Sequence, residues 1–163
     1  MVKNTLEKLF SKTLKANYSI WGMKLHNNPL THQTTPADYI VNTKSEKKYD
    51  VCEKYTCNLI ECKQVTCQNG KGRLAFKRLK QMHDLLSFQQ VYPTFHRSYF
   101  CIAFYDNGWN NSDIYLIPVK EMEHFVTNHS MKSANREMMR IYFKDQLVQI
   151  KHGEGIDLWT KLK

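Results

Sequence analysis

Eight consecutive residues, Ser98-Tyr99-Phe100-Cys101-Ile102-Ala103-Phe104-Tyr105, are almost wholly apolar at odd and even positions alike. Successive strand residues face opposite sides, so this run reads as a strand buried on both faces. Such a strand needs a layer above it and a layer below it, which points to a sheet covered by helices. Asp106-Asn107-Gly108 ends the run as a turn, residues 114–117 follow as a further strand, and Pro118 opens a short helix.

Upstream, residues 4–17 carry a helical stripe of Leu6, Phe10 and Leu14, with Leu9 beside it and Asn4 as N-cap. Residues 24–35 are polar and irregular and read as a loop. Strands are expected at about 37–42, 50–57 and 58–65, with a charged turn between the first two. Gln68-Asn69-Gly70-Lys71-Gly72 is a loop. A second helix is expected over about 73–88, because Ala75, Leu79, Met82 and Leu86 fall on one face. A further helix is expected over 133–143, with Ser133 as its cap. The order is helix, three strands, helix, two strands, helices. That is an α/β fold with a central mixed β-sheet flanked by helices, and 163 residues suit one domain of this kind.

The charge balance narrows the partners. With 24 basic and 15 acidic residues the formal net charge is +9, which favours a polyanion such as nucleic acid. No apolar run approaches the ~20 residues of a membrane span, and the first residues carry no hydrophobic signal region. A cytoplasmic protein is expected, and the Lys- and Asn-rich composition suits a phage or an AT-rich genome. Five cysteines, an odd number, are expected to be free thiols. Cys52, Cys57, Cys62 and Cys67 recur every fifth residue, and an odd spacing sends successive side chains to opposite faces of a strand. Zinc ligands usually come in closer pairs, so these cysteines read as small apolar residues rather than a metal site.

Two acids interrupt apolar strands. Asp38 precedes Tyr39-Ile40-Val41, and Glu61 and Lys63 lie in Asn58-Leu59-Ile60-Glu61-Cys62-Lys63-Gln64-Val65. Glu61 and Lys63 share a face of their strand, while Cys62 points the other way into the core. Burying two acids and a lysine is costly unless they do chemistry. Hydrolysis of a phosphodiester needs charge neutralisation and an activated water, and Mg²⁺ bound to oxygen ligands supplies both. Asp38, Glu61 and the backbone carbonyl of Cys62 are the candidate ligands, with Mn²⁺ a natural substitute. Lys63 would orient the water and stabilise developing charge.

The run Pro36-Ala37-Asp38, then Leu59-Ile60-Glu61-Cys62-Lys63, then Leu79-Lys80-Gln81-Met82, then Tyr99-Phe100-Cys101-Ile102-Ala103-Phe104, resembles the PD-(D/E)XK nuclease superfamily. Within it the chain is most similar to Holliday junction resolvases of the RecU and archaeal Hjc kind, and Asp113-Ile114-Tyr115-Leu116-Ile117-Pro118 resembles the end of that core. The likeness covers about residues 4–126 and leaves 127–163 as a C-terminal helical extension. It implies a restriction-endonuclease-like core and a single nuclease domain over 1–163. It implies a metal-dependent homodimer that cuts four-way DNA junctions symmetrically in recombination and repair. It also implies two more site residues, Glu7 on the first helix and Gln81 on the helix after the Glu-x-Lys strand. The family's Glu-Ala-Lys is Glu61-Cys62-Lys63 here, and no long counterpart of its junction-penetrating stalk is evident in 43–57.

DNA contacts are expected from Lys71, Arg73, Lys77, Arg78 and Lys80, and from His32 in the loop before Asp38. No base-reading motif is present, so binding should follow backbone shape and charge. Two other readings stay open: a restriction-like or repair nuclease on ordinary duplex, and a non-catalytic DNA-binding module.

Overall fold

The computed structural model describes residues 5–16, 20–26, 35–44, 55–91, 93, 95–151, 155–158 and 161–162. Its centre is a six-stranded mixed sheet flanked by helices, the α/β architecture expected. The strands are β1 (Ile20–Lys24), β2 (Tyr39–Lys44), β3 (Tyr55–Thr66), β5 (His96–Tyr105), β6 (Asp113–Pro118) and β8 (Leu147–Val148), adjacent in that order. All neighbouring pairs are antiparallel except β3 and β5, which run parallel in register from Cys57↔His96 to Thr66↔Tyr105.

Each face of the sheet has its own core. Phe100, Ile102 and Phe104 of β5 pack under α2 (Met82–Val91), α3 (Val119–Asn128) and α4 (Arg136–Tyr142), with Leu85, Val119, Met122, Phe125 and Met139. Tyr99, Cys101 and Ala103 of the same strand pack on the opposite face with Leu6 and Phe10 of α1 (Thr5–Ala16). The doubly apolar run at 98–105 therefore lies where a strand covered on both faces must lie.

Several elements differ from the sequence reading. The strands expected at 50–57 and 58–65 are one strand, β3, over its described length. The expected first strand, 37–42, begins at Tyr39, and β1 was not foreseen at all. The helix expected over 73–88 is three pieces. Arg73–Ala75 is a short strand, β4, paired with β7 (Ser133–Asn135), Phe76–Arg78 is a 3₁₀ turn, and α2 starts only at Met82. The i, i+4 spacing of Ala75, Leu79 and Met82 imitated a helix, but distant pairing with β7 claims the first residues. Ser133 is likewise a strand residue. The cap of α4 is Asn135, whose Oδ1 accepts the Met138 N–H at 2.8 Å. The N-cap expected at Asn4 lies outside the described residues, as do Cys52 and His32.

The stretch 127–163, expected to be helical, holds α4 but also strands. Its β8 extends the main sheet, and β9 (Ile150–Lys151) pairs with β10 (Gly155–Ile156) against α1. Ile156, Leu158 and Leu162 are buried in the α1-side core. The Thr13 hydroxyl donates to the Leu9 carbonyl and accepts the Ile156 N–H at 2.8 Å, which ties this segment to the helix. Gly155 has φ +96°, and a Cβ there would collide with the Thr13 hydroxyl and lie 3.1 Å from its backbone. Gly155→Ala should therefore lower stability by at least about 2 kcal/mol in urea unfolding. An unchanged midpoint would show that the 155–158 segment does not hold α1 in solution.

Candidate active site

Asp38 sits just before β2 and its backbone is fixed on both sides. Its N–H donates to the Ile60 carbonyl at 3.1 Å, and its carbonyl accepts the Leu25 N–H at 2.7 Å. Its carboxylate accepts the Cys62 N–H at 2.7 Å. In a strand the N–H and C=O of one residue leave on the same side, so the Cys62 carbonyl is also aimed toward Asp38. The Cys62 side chain is packed on the opposite face with Ile60 and Cys101, as expected. Burial and the neighbouring Cys101 thiol hold its own thiol in the neutral form.

Glu61 and Lys63 project from the other face of β3 and form an ion pair, with Glu61 almost fully buried. Burial raises the Glu61 pKa to about 7; the Lys63 hydrogen bond opposes this, and the Asp38 carboxyl beside it adds to it. Asp38 is raised as well, by burial first and also by Glu7, against the pull of the Cys62 N–H.

Two helices close the site. On α1, the Leu6 N–H donates to Gln64 Oε1 at 2.9 Å and the Glu7 carbonyl accepts the Tyr39 hydroxyl at 2.8 Å. These bonds hang the start of the helix on β2 and β3 and bring Glu7 to the cleft, where it pairs with Lys24. Gln81 precedes α2 rather than lying on it, and its carbonyl accepts the Leu85 N–H at 3.0 Å. Its side-chain Oε1 is buried and meets no donor among the described residues.

The result is a cleft of about 810 Å³ lined by Glu7, Asp38, Glu61, Cys62, Lys63 and Gln81, with Gln64, Thr66, Lys77, Arg78 and Lys80 completing it. Glu61 is buried and Glu7 and Asp38 are half-buried, whereas Lys77, Arg78 and Lys80 are exposed. Arg78 also donates to the Gln64 carbonyl at 2.9 Å, so it anchors its own turn to β3. Lys71 and Arg73 do not line the cleft. Lys71 sits in the turn after β3, and Arg73 reaches Ser133 at 3.2 Å. Lys24, Gln64 and Tyr39 were missed by the sequence reading. The first belongs to the unforeseen β1, and the other two act from the face opposite Glu61.

Among the described residues no three His, Cys, Asp or Glu side chains form a ready metal centre. The cleft offers instead two carboxylates, a main-chain carbonyl and the amide oxygen of Gln81. That is an all-oxygen set of the open kind Mg²⁺ accepts, since Mg²⁺ keeps several waters. The unpartnered Gln81 oxygen and the crowded carboxyls both fit a cation among them.

The sequence matches no protein-family model and no curated protein. Among solved structures, Archaeoglobus fulgidus Hjc, a Holliday junction resolvase from an archaeal hyperthermophile, is similar. The TM-score is 0.45 and the identity 12%, over 85% of this chain and 90% of that one.

A buried acid with a raised pKa binds its proton more tightly when folded than when unfolded. Its contribution to stability is present below the unfolded value near 4.5 and is lost as pH rises through about 7. In EDTA, stability should therefore fall across that window. Glu61→Gln should flatten the fall and be about 1–3 kcal/mol more stable than wild type at pH 8. Denaturation series at pH 5 and pH 8 measure this, and parallel pH profiles for the two proteins would contradict it.

Proposed function

We propose that this chain is a divalent-metal-dependent endodeoxyribonuclease that acts on branched DNA, four-way junctions foremost. The observation that carries the reading is the convergence of Asp38, Glu61, Lys63 and the unpartnered Gln81 oxygen in one cleft edged by lysines. Asp38, Glu61, the Cys62 carbonyl and Gln81 are the groups that would hold Mg²⁺ or Mn²⁺. Such an ion neutralises phosphate charge and makes a bound water acidic enough to attack at neutral pH.

The chain's own groups do the rest. Asp38 is preorganised by three hydrogen bonds, so its carboxylate has little freedom to lose when it acts. Glu61 keeps Lys63 in the cleft, where the ammonium can orient a water and meet the charge that builds on the phosphoryl oxygens. Lys77 and Lys80 attract the DNA backbone, and Arg78 adds charge while anchoring its turn. Glu7 sits at the same edge, held by Lys24, and completes the acidic wall. The junction preference is supported by the sequence resemblance to resolvases. A homodimer would place two such clefts on opposed strands of a near-two-fold junction.

A synthetic four-way junction, incubated with Mg²⁺, Mn²⁺ or EDTA beside a matched linear duplex, tests this. The junction should be cut with either metal and not in EDTA. Glu61→Gln and Asp38→Asn should each lower the cutting rate at least about a thousandfold, with DNA binding in EDTA kept within a few-fold. Lys63→Ala should cost roughly a hundredfold, and Gln81→Ala less. Equal cutting of linear duplex would remove the junction preference and leave a nuclease. A wild-type protein that binds DNA but cuts with neither metal would be a binding module.

A further inference from the structure

β1 is the outer strand of the sheet, and two large side chains stand exposed on it, Trp21 at 59% and Met23 at 48%. The residues between and after them face α1. A side chain at Gly22 would meet Leu14 at 3.0 Å, and Lys24 pairs with Glu7. Trp21 and Met23 therefore project from the other face, the one that carries Leu59, Glu61 and Lys63. The register confirms it: Met23 lies across from Ile40 and Ile40 across from Leu59, while Trp21 lies across from Asn42 and Asn42 from Cys57. Ile40 and Leu25 pack on the α2-side core, so they share this face. Leu25 bonds to Asp38, and Trp21 is four residues along from Leu25. At a rise of ~3.3 Å per residue the indole stands about 13 Å from the Asp38 row, on the cleft's own side of the sheet.

We propose that Trp21, with Met23 on the same face, is a stacking platform for unpaired bases of a DNA strand whose backbone enters the Asp38–Glu61 cleft. The identity of the ligand rests on the nuclease reading above. An indole stacks on any base without regard to sequence, and a thioether adapts to whatever lies beside it. A distance of about 13 Å spans roughly four base steps at ~3.4 Å each, so bases a few nucleotides from the bond in the cleft would reach the platform. The area also favours a small planar occupant over a second copy of the chain. One Trp and one Met offer roughly 200 Å² each at most, against the ~800 Å² per partner of a stable interface. The platform makes the preferred substrate a strand with unpaired bases near the cut, whether at a junction centre, a gap or a flap.

Equilibrium binding in EDTA separates this from catalysis. The probes are a duplex with a central gap of four unpaired nucleotides and the same duplex fully paired. Wild type should prefer the gapped probe. Trp21→Ala should weaken binding of the gapped probe about tenfold and leave the paired one unchanged, while Trp21→Phe keeps most of the preference. Met23→Ala should shift it in the same direction by less. Equal losses on both probes, or none on either, would overturn the proposal. So would a dimer that Trp21→Ala dissolves on gel filtration while the probe preference stays. If the protein cut no DNA with any metal but Trp21→Ala still lost the gapped probe alone, the nuclease reading would fall and the platform would stand. Circular dichroism melting of each variant confirms that the exposed substitutions leave the fold intact.

Discussion

The register of β3 between β2 and β5 is the constraint on which the molecule turns. Ile60, Cys62 and Gln64 serve α1 on one face, while Leu59, Glu61, Lys63 and Val65 serve the α2 side on the other. A slip of one residue would put Glu61 and Lys63 under α1 and turn Ile60 and Cys62 into the cleft. The parallel ladder with β5 runs for ten residue pairs and prevents this, because β5 is apolar on both faces and immersed in both cores. The same register delivers the Cys62 N–H to Asp38 and the Gln64 amide to α1. Folding and the arrangement of the cleft are thus set by one strand pairing.

What was legible in the sequence follows from this. Asp38 and Glu61 stood out because acids rarely sit in apolar strands, and β5 stood out because a doubly apolar run has few places to go. The cleft's other parts depend on non-local pairing that no local pattern encodes. β1 escaped notice because Gly22 interrupts it and its two largest side chains face solvent, so its apolar pattern is the reverse of a buried strand. Gly22 is there for clearance, since a Cβ would press on Leu14 and on the Ile40 carbonyl at 3.1 Å. Losing β1 from the reading also lost Lys24, the cation that holds Glu7 at the cleft. The segment 73–88 misled for a different reason. Its helical spacing is real, but pairing between residues about sixty positions apart turned its first part into β4.

The division of charge in the cleft separates two properties. Lys77, Arg78 and Lys80 are exposed, and salt screens their field over ~8 Å at physiological ionic strength. Asp38 and Glu61 lie deeper, where screening is weak and their mutual repulsion persists. In the proposed nuclease, affinity would therefore be tuned by the rim and by the solution, and the chemistry by burial and by hydrogen bonds that salt barely touches. A basic rim thus surrounds a floor that is itself acidic.

The same floor suits a glutamine better than a further acid at position 81. Glu61 already titrates near 7 because it is buried beside Asp38, and Asp38 is raised in turn. A carboxylate at 81 would add another buried negative group within the same cleft and push both further toward their protonated, weakly ligating forms. An amide presents an oxygen acceptor with no charge to desolvate, so it would extend the proposed ligand set without disturbing the ionisation of the pair. Among the described residues its oxygen meets no donor, and the two acids beside it carry raised pKa values, so the proposed cation would find acceptor oxygens that the surrounding side chains only partly neutralise.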